Sequence, residues 1–363
     1  MFLDHSLAPA LAGRLLSLSL LLASLSAQAQ APAPAQLGEV TITGNPLGSG
    51  AIAPTRSLAG PDLLLRSQST LGQTLDREPG VSSSYFGPNA SRPVIRGLEG
   101  ERIRILNNGA GTLDVSGLSP DHAVSLDPLS AERIEVLRGP GALLYGGSAV
   151  GGVVNVLDNR IAREPQFGPE GGRIGKADLG WASGNRERSG AVLLEGGHDR
   201  MQWHVDALDR QAGDVAAPVA LSCSQGGATV SRRRICNSAS QAQGAALGLS
   251  WFGSDGHLGA SVSSLRSRYG VVAEDDVHIG MRAERYALEG ERRNLTGALR
   301  SLRWSLGHSD YAHTEFEAGQ AGSRFATRGS ELRLEARHAP WSGWDGVWGV
   351  QFNDTRFSPS APT

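Results

Sequence analysis

The sequence predicts a compact α+β domain followed by strands of an antiparallel transmembrane β-barrel, and three observations lead there. Glycine occupies 48 of the 363 positions, nearly twice the usual share of about 7%, while charged residues make up only 19%; this is a composition of turns and strands rather than of helical bundles. No segment approaches the roughly 18 uninterrupted apolar residues of a spanning helix, so if the chain crosses a membrane it does so with strands. Beyond Gly171 the apolar period changes to two and stays there. Length alone suggests about two domains. The 34 basic and 36 acidic side chains balance to a net charge of -2, which advertises no polyanion-binding surface, and two cysteines exclude a disulfide scaffold.

The first element is a leader. Arg14 precedes a short apolar run, Leu15 to Ser24, and Ser26-Ala27-Gln28-Ala29-Gln30 places small residues at cleavage spacing, so residues 1–29 read as a secretory signal peptide. The run is too short for an anchor helix. Residues 30–56 begin with the stiff, solvated Ala31-Pro32-Ala33-Pro34-Ala35. They then present Glu39-Val40-Thr41-Ile42-Thr43-Gly44, a β-branched alternation able to pair with a partner's sheet edge or to open the next domain as an ordinary first strand.

Residues 57–162 form the α+β unit. Apolar residues recur at helical spacing from Leu63 to Leu75, and Pro79-Gly80 stops the helix. Short β-rich runs follow at Pro93 to Gly97 and Arg102 to Leu106, with Asn107-Asn108-Gly109 as a turn. The stretch Ala131 to Leu157 reads as strand, turn, one or two helical turns, glycine turn, strand. Its glycines invite a phosphate-loop reading, but the Gly-Lys-Ser/Thr ending is missing; positive φ and close backbone packing explain them more simply.

Residues 170–363 form the wall. Ala177, Leu179 and Trp181 alternate with Asp178 and Gly180, and Met201, Trp203, Val205 and Ala207 with Gln202, His204 and Asp206; the device repeats at 245–251, 258–262, 302–306, 332–336 and 348–352. About nine to ten candidate strands result. One apolar and one polar face per strand, with Trp near several ends, is the pattern of a lipid-facing wall around a wet interior. A soluble β-sandwich would alternate too, and the leader and the preceding domain favour the barrel. Short turns such as Gly253-Ser254-Asp255-Gly256 belong on the periplasmic side and long loops such as 211–240 outside.

Ordered motifs then carry a family resemblance. Val94-Ile95-Arg96-Gly97, Glu132 through Pro140, Leu144-Tyr145-Gly146 and Gly151-Gly152-Val153-Val154-Asn155-Val156 resemble the plug domain of TonB-dependent outer-membrane receptors. The resemblance implies a receptor in the outer membrane of a Gram-negative bacterium, its plug facing the periplasm. It implies Glu39, Val40, Thr41, Ile42 and Thr43 as a TonB-box-like segment, the TonB-ExbB-ExbD system as energy-coupling partner, outer-membrane lipid around the wall, and no nucleic acid. Barrels of this family have about twenty-two strands, the class with a plugged lumen. The expectation is therefore an incomplete barrel, N-terminal strands only, in a chain that is a fragment or a prematurely ended reading frame.

Candidate ligands lie in the loop Leu118-Ser119-Pro120-Asp121-His122-Ala123-Val124. A carboxylate and an imidazole suit Zn²⁺, although an adjacent Asp-His pair is also an ordinary surface loop. The surrounding residues, with Leu126 to Arg133, Leu143 to Ala149, Tyr311-Ala312-His313-Thr314-Glu315 and Glu335 to His338, are similar to zinc-uptake receptors of the ZnuD type. That similarity implies zinc as cargo rather than a prosthetic group, Asp121 and His122 as plug-side ligands, Glu315 or Glu317 as the barrel carboxylate, and a further histidine beyond Thr363. Haem, a siderophore or another metal chelate is the alternative cargo, and a non-transporting truncated receptor the alternative role. The long loops lack a histidine-rich run; Glu274-Asp275-Asp276-Val277-His278 reads first as a solvated acidic turn. In an oxidising envelope Cys223 and Cys236 are first candidates for a disulfide, worth about 3 kcal/mol for such a loop, with zinc ligation by thiolates as the other reading. Import of a cargo makes and breaks no bond in it, so the resemblance implies a transporter and not an enzyme; a hydrolase reading finds neither Gly-x-Ser-x-Gly nor His-Glu-x-x-His.

Overall fold

The computed structural model describes residues 56–225 and 227–361. The expected leader, and the tether with Glu39 to Gly44, lie outside the described residues except for Arg56.

The plug unit opens with β1 (Arg56–Ala59) and two short helices, α1 (Gly60–Arg66) and α2 (Leu71–Leu75), where the apolar spacing predicted one. Ser67-Gln68-Ser69-Thr70 explains the break. Ser67 leaves helical geometry at φ -56°, ψ 120°, and Thr70 caps α2 by accepting from Gln73 N, which is what hydroxyl side chains do in preference to staying inside a helix. Then come β2 (Val81–Ser83), β3 (Pro93–Ile95), β4 (Ile103–Asn107), β5 (Ala110–Gly111), β6 (Arg133–Leu137) and β7 (Gly152–Leu157). The main sheet has the order β1-β6-β7-β4-β5, with β4 and β7 parallel and the other pairs antiparallel; β2 and β3 form a separate pair. The turn between β4 and β5 has Asn108 at φ 52° and Gly109 at φ 88°, the two left-handed positions that the Asn-Gly pair announces.

Strand β7 is buried along its whole length, as a central strand covered on both faces must be. Val154 and Val156 join Ile134, Val136, Leu71 and Leu75 on one face, and Val153 joins Leu106, Leu137 and Tyr145 on the other. Glu135 is fully buried in β6, and burial pushes its carboxyl up to about 7. The folded plug thus keeps a proton that the unfolded chain releases near 4.5, so this contribution is full below that pH and is lost as pH rises toward 7. We expect Glu135→Gln to raise the exchange protection of β6 and β7 amides relative to the parent at pH 8, by up to about 3 kcal/mol, and to leave it unchanged at pH 4. Equal protection at both pH values would show that the carboxylate is compensated.

The wall comprises β8 (Gly172–Ala182), β9 (Glu187–His198), β10 (Met201–Ala212), β11 (Ala216–Gln225), β12 (Ala228–Arg234), β13 (Ser240–Gly253), β14 (Gly256–Gly270), β15 (Val277–Arg292), β16 (Leu299–Glu317), β17 (Gln320–His338) and β18 (Val347–Ser360). Nine of them form one antiparallel sheet in the order β18-β17-β16-β15-β14-β13-β10-β9-β8. The segment 211–240, read from sequence as a loop, contains the hairpin β11–β12 instead. Strand β15, whose apolar series Ile279, Met281, Ala283 is broken at Arg285, escaped the sequence pattern.

One face of the sheet is apolar and exposed, with Leu179, Leu194, Leu249, Leu334 and Phe352 on it. The opposite face lies on the plug and is polar: Gln202, His204, Asp206, Arg210, Glu289 and Glu331 are all buried there. Trp203, Trp251, Trp304, Trp341, Trp344 and Trp348 gather at the end where the plug enters β8, the position of an interfacial aromatic girdle.

Ion pairs fasten plug to wall. Arg104 reaches Glu331 at 2.7 Å, Arg163 grips Glu289 at 2.8 and 2.9 Å, and Arg160 grips Asp206 at 2.8 and 3.0 Å while holding Asp158 at 3.0 Å. In the reverse sense the wall's Arg210 reaches the plug's Asp127 at 3.1 Å.

Candidate cation site

At the opposite end from the tryptophans a plug loop meets β16. The loop is built around Asp114, whose Oδ1 accepts from Ser116 N and Oγ (3.1 and 2.6 Å) and whose Oδ2 accepts from Ser125 N and Oγ (2.9 and 2.7 Å). Tyr269 of β14 secures the far side: its hydroxyl accepts from Ala123 N at 2.8 Å and donates to Asp121 O at 3.1 Å. The residue held between these two bonds is His122. Its ring is buried, and Nδ1 lies 3.3 Å from Val115 O. A carbonyl only accepts, so Nδ1 carries the proton, and in the neutral ring Nε2 presents a lone pair.

That lone pair faces β16, where the period of two puts Tyr311, His313 and Glu315 on one face. His122 Nε2 is 3.5 Å and His313 Nε2 3.9 Å from Glu315 Oε1, and the three ligand atoms lie within 4.8 Å of one another. Tyr311 Oη bonds His313 Nδ1 at 2.9 Å, while His313 Nε2 is buried without a hydrogen-bond partner. The pairing of β16 with β17 slips between Thr314 and Phe316, an irregularity opposite Glu315 of the kind that re-aims a side chain. Phe325 of β17 covers the rings, 5.4 Å from His122 and 4.9 Å from His313.

Two imidazole nitrogens and a carboxylate oxygen are the donors of a tetrahedral zinc-type centre with a fourth position open. Donors about 2.0–2.2 Å from a tetrahedral ion stand roughly 3.3–3.6 Å apart; the two separations from Glu315 are already at or near that spacing, and the imidazoles, within 4.8 Å of each other, would have to draw together by up to about 1 Å to close on an ion. The second bonds, from Val115 O and Tyr311 Oη, orient the rings as outer partners of metal-bound histidines do.

Of the residues singled out from sequence, His122 and Glu315 come together here. Asp121 is adjacent but outside the tight set, with its Oδ1 taken by Ser119 Oγ. Glu317 is exposed at the strand end. His313 and Tyr269 were missed as site residues, although His313 stands two positions before Glu315 and therefore on its face. Cys223 and Cys236 are disulfide-bonded across the β11–β12 hairpin. Ser224 N of that hairpin donates to Asp275 in the acidic turn. Because the Tyr269 hydroxyl alone holds both flanks of His122, Tyr269→Phe is expected to weaken divalent-cation binding about 10-fold with the wall intact, the scale of an outer-shell loss; titration calorimetry reads it.

Comparison with known proteins agrees with this architecture. Residues 51–153 match the family model described as TonB-dependent Receptor Plug Domain. Among solved structures, the chain is similar to the copper transporter OprC (18% identity, TM-score 0.66, covering 80% of this chain and 44% of that one). It is also similar to the FrpB iron transporter from Neisseria meningitidis (14%, 0.64, 85% and 50%), and to the ferric enterobactin receptor PfeA in complex with BCV-L6 (16%, 0.61, 85% and 50%). The chain spans about half the length of these structures. At such identities the likeness speaks for the fold: an α+β plug domain of the TonB-dependent receptor type, seated against nine strands of an antiparallel wall.

Proposed function

We propose that this chain carries the plug and adjoining wall of a TonB-dependent outer-membrane receptor that takes up a bare divalent cation, zinc first, through His122, His313 and Glu315. The observation that carries this reading is a three-donor set, two buried imidazoles and a half-buried carboxylate, with an unpartnered imidazole nitrogen, taking one donor from the plug and two from the wall. His122 is 4% and His313 1% exposed, and Tyr311 and Phe325 close over them. A single ion fits such a space, whereas a haem or a siderophore complex would need both rings displaced. The exposed apolar face with its tryptophan band supports an outer-membrane position, and coupling to TonB would act through Glu39 to Gly44. Import of this kind makes and breaks no covalent bond in the cargo.

Copper is the second reading, favoured by Met281. This residue is buried against Tyr311 and pairs in register with His313, and a thioether is a ligand for Cu(I). Calorimetry of the refolded chain with Zn²⁺, Cu(I) and a ferric catecholate separates the readings. Zn²⁺ binding that survives Met281→Leu supports the first, Cu(I) binding lost in that variant supports the second, and binding of the catecholate alone would overturn both.

A further inference from the structure

Three cavities lie in file between plug and wall. The first, about 40 Å³, is bordered by Ala123, Tyr269 and Met281 beside the cation set. The second, also about 40 Å³, shares Leu126, Asp127 and Leu265 with it and adds Ser125 and Ser263. The third, about 20 Å³, shares Asn107, Arg160, Ser263 and Arg285 with the second and ends at Asp158, Glu289 and Ser305. Strand register puts them in descending order. Tyr269, Ile279 and Glu315 are paired at the level of the cation set, Ser263, Arg285 and Ser309 at the middle, and Gly259, Glu289 and Ser305 near the tryptophan end. From Glu315 to Ser305 is ten residues of β16, about 33 Å of strand.

The space exists because the wall is small where it faces the plug. Gly244 on β13, Ser261 and Ser263 on β14, Ala283 and Ala287 on β15, and Gly307 and Ser309 on β16 line the cavities. Such a gap could be a packing defect, but polar side chains recur along a lining that is otherwise largely apolar. Hydroxyls, the Asn107 amide and the carboxylates of Asp127, Asp158 and Glu289 can replace a cation's water. Each of these carboxylates is held by an arginine: Asp127 by Arg210, Asp158 by Arg160 and Glu289 by Arg163. At rest, therefore, the lane offers a cation no free negative charge. Both Arg160 and Arg163 lie in the segment joining β7 to β8, so a pull on the plug that shifts this segment uncovers Asp206 and Glu289 on the wall.

Resting on the reading of the chain as a cation importer, we infer that this lane is the route by which the released ion descends, beside a plug that stays in the lumen, with the arginine–carboxylate pairs as its resting closure. The test narrows the lane after folding. The two native cysteines are bonded to each other, so Ser263→Cys and Ser305→Cys each provide a single thiol in cells making the full chain, with Ser254→Cys in an exposed turn as control. Each is treated with a benzyl methanethiosulfonate, and Zn²⁺ uptake is compared with that of the same variant unlabelled, alongside Zn²⁺ binding. The expected result is uptake reduced at least 10-fold by label at 263 and at 305, unchanged by label at 254, with binding by the cation set retained throughout. Unchanged uptake with full labelling at 263 or 305 and binding intact overturns the lane while leaving the cargo reading standing. Failure of the unmodified protein to bind Zn²⁺ overturns the cargo reading, and the lane with it.

Discussion

Replacing His122 and His313 together by alanine is expected to abolish divalent-cation binding to the chain, a loss of at least 100-fold in affinity by titration calorimetry. Two of three donors go, and Glu315 alone in a half-open setting has the weak affinity of any surface carboxylate. The single variants separate the contributions of the two sides. His122→Ala removes the only donor of the set that belongs to the plug; His313→Ala keeps plug and wall joined through His122 and Glu315 and should cost less. Structural damage would not mimic this result, because neither ring belongs to the two apolar clusters that hold the plug sheet. Undiminished binding in the double variant would move the site elsewhere.

The second large effect concerns docking. Arg160 is 8% exposed and satisfies Asp158 and Asp206 at once; Asp158 otherwise keeps Asn107 and Asn108, and Asp206 keeps His204. Arg160→Ala leaves two buried carboxylates without their cation, a change that costs about 3–5 kcal/mol in comparable pairs. Cleavage between β7 and β8 by a protease under native conditions should accelerate by two orders of magnitude or more. Adding Asp206→Asn should recover part of the loss, since the charge left behind is what makes the single change expensive. If the single variant resists the protease as the parent does, the pair is not what holds the plug.

Much of the fold was legible because its signals are local. The alternation of β10 and β13, the Asn-Gly turn after β4 and the buried run of β7 follow from side-chain period and turn chemistry, which need no knowledge of partners. The misses have one cause, tertiary context. Strand β15 turns Arg285 inward, where it donates to Gly111 O of the plug, and pairs Arg282 with Glu284 on its outer face; the break at Ser67 is a contest between capping and helix that apolar spacing does not register. The cation set shows the same division. His122 was visible as a residue type in a loop, and Glu315 as a residue of the resembling segment. That their atoms come within 3.5 Å depends on Tyr269 and on the slip opposite Glu315, which become visible only when the strands are paired.

The set takes one donor from a plug loop and two from the wall, so an ion bound there would also be a rivet between two bodies. Whatever free energy it gains by binding is added to the work needed to part them, and by reciprocity any tension that strains the joint must weaken the hold on the ion by the same amount. A laden joint is then the stiffer one, and a tug strong enough to move it is one that has already begun to unload it. Affinity measured on the slack protein is therefore an upper limit. In an importer of the proposed kind, the quantity that would govern delivery is affinity as a function of applied force.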